Sequence, residues 1–484
     1  MHGEVKTQRP RMHWQIGASG ALTNTIAVLL FVAVPASAES TDWDSSITAA
    51  IDRSFAIDES VPHNQLDIDT QQGIVTLSGT VDNLLAKERA VEQAQSIKGV
   101  RSVVDHMHVR PAPVPDEKLR SAVSDALSSD PVTDELKITV ATSNGQVTLT
   151  GTVQSWAEKH VVTDVVKSVK GVQSIHNNLL VNEKAERTDK EIQTDIEARL
   201  RSDVFLTDDT ILVRTSGGNV ELLGNVGSAL EKARATRLAS VMGVHSVNAD
   251  LLNVERRTRD QMRRTHRAHP SDSDIKRAVR DAFLYDPHVW AFDPDVQVRF
   301  GIVTLRGVVD NLEAKQAAET DAYHTIGVKS VRNYLKVRPV QHVDDETIAR
   351  QIRIRLSNNP AVDRFEIGVS VLDGVVHLTG EVDSDTQIAR ALATAAKVKG
   401  VVDVKNRLKV GDGWTWSADY DIKDAIEDEL WWSPFIDEEQ VQVRVHNGVA
   451  TLTGTVGSWF EKRMATDNAF EGGAQHVRNH LIVE

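Results

Sequence analysis

Apolar residues recur along most of the chain in two rhythms. The first places them on one helical stripe, as in Leu119, Ala122, Val123, Ala126, Leu127 and in Ile275, Ala278, Val279, Ala282, Phe283. The same stripe returns as Ile47, Ala50, Ile51, Phe55; Ile192, Ile196, Leu200; Ile348, Ile352, Leu356; and Ile422, Ala425, Ile426, Leu430. This spacing predicts six amphipathic helices of about three turns. The second rhythm is strict alternation, as in Val441-Gln-Val-Arg-Val445, which predicts a half-buried strand.

The two rhythms are tied together by one recurring phrase, G-x-V-x-L-x-G. It stands at Gly73–Gly79, Gly145–Gly151, Gly218–Gly224, Gly301–Gly307 and Gly374–Gly380, and as G-V-A-T-L-T-G at Gly448–Gly454. Its second glycines are 72, 73, 83, 73 and 74 residues apart, a period that suits a small domain repeated six times. Asn144-Gly145, Asp373-Gly374 and Asn447-Gly448 mark tight hairpins before the phrase, while the fourth turn, Arg299-Phe300-Gly301, reads as shortened. Four residues after each phrase stands a helix N-cap: Asn83, Ser155, Ser228, Asn311, Ser384 or Ser458. Glu158, Glu231, Gln387 and Glu461 follow three positions later, the spacing of a capping box. These second helices end at Gly99, Gly171, Gly243, Gly327, Gly400 and Gly473, and a last strand V-x-x-V-x-N-x-L follows, as at Val328–Leu335.

The predicted fold is therefore α+β: six tandem α-β-β-α-β modules, each a three-stranded mixed sheet covered by two helices. Their expected boundaries are 42–110, 115–182, 187–254, 271–338, 343–410 and 416–484. A Pro-rich spacer (111–115) parts the first two, and an Arg-rich linker (255–270) lies between the third and fourth. Copy four echoes copy one (Val309-Asp-Asn-Leu against Val81-Asp-Asn-Leu), and copy six echoes copy two (Ser458-Trp against Ser155-Trp). A block of three copied once accounts for the first echo and predicts a three-plus-three grouping.

The order of elements, the glycine phrase and the G-V-x-x-V-x-N-x-L ending resemble the BON domain, the family of bacterial osmotic-shock and nodulation-associated proteins. Ala249 in place of Asn and Ala474 in place of Val depart from the pattern. The resemblance implies association with phospholipid membranes or envelope complexes, and a part in envelope integrity under osmotic stress.

The N-terminus adds an address. Lys6, Arg9 and Arg11 precede the apolar run Ile26–Val34, and Ala36-Ser-Ala38 follows it. That order reads as a signal peptide cut after Ala38, hence a periplasmic protein; nine apolar residues are too few to span a bilayer. Residues 1–38 hold three bases and one acid, so the net charge moves from −14 to −16 on their removal. An acidic chain is a poor nucleic-acid binder, and no later segment reads as transmembrane. With no cysteine, thiolate metal sites and cysteine nucleophiles are excluded.

No catalytic, metal or cofactor motif stands out, so the chain reads as non-enzymatic. The histidine pairs His106/His108 and His266/His269 would need a third ligand and an open position for zinc catalysis, and they read as solvated or structural histidines. Lipid- or partner-binding candidates are Phe283, Tyr285, Trp290 and Phe292 in copy four, Trp431, Trp432 and Phe435 in copy six, and Arg256, Arg257, Arg263 and Arg264 in the linker. The competing reading is that these aromatics fill small cores or the seams between modules, and that the arginines are a solvated linker. The expected partner is a phospholipid surface, with attachment by multivalency; the alternative is an array docking on envelope proteins without lipid.

Overall fold

The computed structural model describes residues 37–58, 60–182, 187–206, 211–255, 270–359, 361–362, 365–411 and 418–483. Each of six modules has the order helix, strand, strand, helix, strand. The glycine-phrase strand is central, paired antiparallel to the hairpin strand and parallel to the last one. In module four the ladder runs Arg299↔Ile302 on one side and Arg306↔Tyr334 on the other. Both helices lie on one face and bury it, as with Ile275, Val279 and Phe283 over Val303 and Leu305.

All six hairpins close the same way. The turn residues Gln72, Asn144, Gly217, Phe300, Asp373 and Asn447 have φ of 49–56°, each followed by glycine at 71–78°. The fourth turn is therefore not shortened: Phe300 simply occupies the left-handed position that Asn or Asp takes elsewhere. In five modules an aspartate of the first helix, its first residue in all but module one, ties down this turn, as Asp272 accepts from the amides of Phe300 (2.8 Å) and Gly301 (2.9 Å). The second helices are capped by Asn83, Ser155, Ser228, Asn311 and Ser458, but Ser384 makes no such bond. The glutamates reach one residue further back than a capping box does, accepting from Gln154, Gly227 and Gly457. In modules two, four and six an Asn amide pins the last strand to the second helix (Asn333 to the Lys315 carbonyl, 2.8 Å), and module three has Ala249 at that position. There the strand bulges by one residue between Ser246–Asn248 and Leu252–Val254.

The modules group three and three. The first residue of each second helix plugs into the next module. Leu84 packs on the core of module two, the Trp156 indole donates to the Val244 carbonyl of module three, and Ala229 returns to the core of module one. The same position closes a second ring: Leu312 enters the core of module five, Asp385 meets His476 of module six at 2.8 Å, and Trp459 stacks on Tyr323 of module four at 3.6 Å. Three joints then fasten ring to ring, each between the end of a first helix and the residue before a C′ glycine. They are Lys98 N–H to the Trp432 carbonyl (2.8 Å), Ile326 N–H to Ser202 (2.8 Å) and Lys399 N–H to Ser129 (3.0 Å). Helices meet inside, and the outer faces of the sheets are turned to solvent.

Candidate functional site

The seven candidate aromatics lie against module cores and seams. Phe283 is buried in the module-four core, with Phe292 packed beside it, and Trp290 is half-buried in the same segment. Tyr285 donates its hydroxyl to Asp195 of module three and lies under the Arg199 guanidinium at 4.6 Å. Trp431 and Trp432 form a cluster with Trp43 of module one at 5.9 and 5.4 Å. Phe435 meets Phe205 of module three and Phe460 at 5.8 and 5.3 Å. Arg256, Arg257, Arg263 and Arg264, like His266 and His269, lie outside the described residues.

The seams also hold a position that sequence reading passed over. Three residues beyond the last stripe residue of each first helix stand Asp58, Asp130, Asp203, Asp286, Asn359 and Ser433. Each accepts the amide two residues on, at 2.8–3.3 Å. Aligning the six copies on Phe55, Leu127, Leu200, Phe283, Leu356 and Leu430 exposes it. Around these caps the seams are ionic. Arg89 bonds Asp58 and Glu471 (both 2.8 Å), and Arg234 bonds Asp203 at 2.7 Å and approaches His324 at 3.5 Å. His288 lies between Asp286 (2.7 Å) and Glu313 (3.4 Å). Burial opposes its charge, but the two carboxylates raise its pKa to about 10. The Arg89–Glu471 and Arg234–His324 contacts join modules, while the His288 cluster lies within module four; among the described residues no group of three His, Asp or Glu could hold a metal ion.

The most distinctive exposed surface is the outer sheet face of module four. Its outward positions carry Arg299, Arg306, Arg332 and Lys336 against a single acid, Asp295. Phe300 at the hairpin tip is 75% exposed, and Tyr334 and Val308, further along the strands toward the far end of the sheet, are exposed on the same face. Arg299 and Arg306 sit over the Phe300 and Tyr334 rings at 5.4 and 5.7 Å. The corresponding face of module one bears Asp67 and Asp69, with His106 and His108 exposed on its last strand. The signal for the basic face is period 2 within single strands: x-R at 299, R at 306, and R-x-Y-x-K at 332–336.

Six mixed three-stranded sheets, each backed by two helices and repeated in tandem, define an array of small α+β domains. The BON domain model matches residues 44–111, 115–183, 188–256, 271–339, 344–412 and 418–484, and the chain belongs to the BON-domain family. It is 33% identical over 143 residues to the osmotically-inducible protein Y of Escherichia coli (strain K12), covering 28% of this chain and 71% of the relative. It is 28% identical over 139 residues to the outer membrane lipoprotein DolP of Haemophilus influenzae, covering 28% of this chain and 72% of that one. A 21 kDa hemolysin of Actinobacillus pleuropneumoniae is 29% identical over 139 residues, again 28% of this chain and 72% of the relative. Each match spans about two modules. Among the described residues no helix is long and apolar enough to cross a membrane.

Proposed function

We propose that this is an exported, non-catalytic protein of the cell envelope, a rigid six-module scaffold that associates with anionic phospholipid surfaces and supports envelope integrity under osmotic stress. The observation that carries the reading is the outer face of module four. Four cations, a tip phenylalanine and a tyrosine share one bare sheet, on a chain whose net charge is −14. Aromatic rings favour the interface, and each base near an anionic surface contributes about 1 kcal/mol. The remaining acidic surface is screened beyond a Debye length of about 8 Å at physiological salt. Relatives named for osmotic induction and for the outer membrane support the setting.

Co-sedimentation of the chain lacking residues 1–38 tests this with phosphatidylglycerol and phosphatidylcholine vesicles at low and high salt. Binding is expected to the anionic vesicles only, to weaken with salt, and to fall at least fivefold in F300S/Y334S. No sedimentation, or sedimentation indifferent to both lipid charge and these rings, removes the reading in favour of an array that docks on envelope proteins.

A further inference from the structure

The three ring-to-ring joints use equivalent positions, and one of them is incomplete. In two joints an arginine six residues into a second helix is clamped on both sides. Arg89 lies between Asp58 of its own module and Glu471 of module six, and Arg234 between Asp203 and His324 of module four. The third such arginine is Arg390. Its own cap is Asn359, already bonded to Thr394, and the residue matching Glu471 and His324 is Ser168, whose hydroxyl donates to Val165. Among the described residues the Arg390 guanidinium makes no hydrogen bond; its one ionic neighbour is Asp58 of module one, 3.7 Å away and shared with Arg89. Burial lowers its pKa and Asp58 only partly opposes this.

The space left by these small substitutions is a cavity of about 480 Å³ between modules two, four and five, with Leu85 of module one at its edge. Its buried acids are already matched: Asp130 with Arg355 (3.7 Å) and Glu313 with His288 (3.4 Å). Asp164 is paired with Lys167 at 3.1 Å, and Asp125 is exposed. Arg390 and Lys397 lie two turns apart on one helix face and both line the cavity, but Lys397 is already 4.0 Å from the Glu313 carboxylate, which leaves Arg390 as the cation without a close acid of its own. Its other wall is apolar, built from Leu85, Ala122, Ala126, Val161, Val165 and Ile354. The volume falls in the ordinary range for small organic ligands, far above what a lone inorganic anion fills.

We infer that this cavity binds a single-chain amphiphile, its oxyanion head on Arg390 and its chain along the Leu85–Val165–Ile354 wall. A guanidinium fork suits carboxylate and phosphate oxygens equally, so a fatty acid and a lysophospholipid share the required chemistry. This site is separate from the outer face of module four and does not depend on vesicle binding there.

The test is isothermal titration of the chain lacking residues 1–38 with laurate, with lauroyl-lysophosphatidylglycerol and with glycerol phosphate, each below any micellar concentration. One amphiphile is expected to bind with 1:1 stoichiometry, with glycerol phosphate at least tenfold weaker. The tighter of the two amphiphiles identifies the head group. R390Q is expected to weaken binding at least tenfold. N359D, which restores the acid found at Asp58, Asp130, Asp203 and Asp286, is expected to do the same while the melting temperature holds or rises, so loss of fold cannot imitate the result. F300S/Y334S should bind the amphiphile as the parent does. Failure of both amphiphiles to bind, glycerol phosphate binding as tightly as they do, or unchanged binding by R390Q and N359D overturns the inference.

Discussion

His324 and His288 occupy neighbouring seams and are pulled in opposite directions. His324 is buried against Arg234 and near Arg463, and burial followed by these two cations lowers its pKa to about 3. The unfolded chain takes up a proton there below about 6.5, which the folded chain refuses, so this residue withdraws stability as pH falls from about 6.5 toward 3. His288 behaves inversely. Held charged by Asp286 and Glu313, it contributes stability that is complete below about 6.5 and disappears as pH rises through about 10. NMR titration should show His324 neutral at pH 5 and His288 still protonated at pH 8. In thermal melts H288Q should lose most relative to the parent at pH 6 and progressively less toward pH 10. A His288 that titrates near 6.5 contradicts the ionic seam.

At the scale of elements, Phe300 carries two opposed demands. Its φ of 53° belongs to the left-handed region, which Asn, Asp and Gly fill at four other turns and which costs other residues of this handedness about 1–2 kcal/mol. At 75% exposure its ring recovers little by burial. F300N should therefore stabilise the protein by about 0.5–1 kcal/mol while weakening anionic vesicle binding, a divergence that chemical denaturation and sedimentation together can read. A change that raised both or lowered both would place the ring in packing rather than contact. This turn also shows where reading by motif stops. Helix stripes, caps and Gly-terminated helices are legible because each is a local pattern of a few residues. Phe300 looked like a missing turn residue because its conformation is imposed by the strand ladder and by the aspartate that holds the turn amides. Trp431 and Leu430 are adjacent and equally apolar, yet Leu430 belongs to its own module and Trp431 to a seam with module one. Nothing local separates them, whereas the Asp58/Asp130/Asp203/Asp286 column, buried or half-buried, is visible once the copies are aligned.

At the scale of the whole molecule the seams decide what a seam residue does. Trp432 is buried against Trp43 and the core of module one, so W432A should cost about 3 kcal/mol by emptying that space. Vesicle affinity of the protein that remains folded should not move, which equilibrium denaturation alongside sedimentation would check. Loss of vesicle binding at unchanged stability would return this residue to the membrane-contact role that its sequence context also allows.

The two rings make a stronger statement about the chain as a whole. Modules one to three close on themselves through Leu84, Trp156 and Ala229, and modules four to six through Leu312, Asp385 and Trp459. What holds ring to ring is therefore not the connection at 256–269 but the three joints at Trp432, Ser202 and Ser129, together with the ion pair of Arg89 with Glu471 and the aromatic contacts of Phe205. Three joints acting in parallel on prefolded rings raise each other's effective concentration, so separation needs all three to open together. A protease site inserted within 256–269 and cut in the folded protein should leave two fragments that co-elute at the parent's size in gel filtration, and still do so in 0.5 M salt, because the aromatic part of the seams is unscreened. Combining the cut with W431A/W432A strips the indole contacts with Trp43 from the module-one-to-six joint and should let the fragments part on dilution. Fragments that separate immediately after cutting would mean that the covalent connection, rather than the seams, keeps the two rings together.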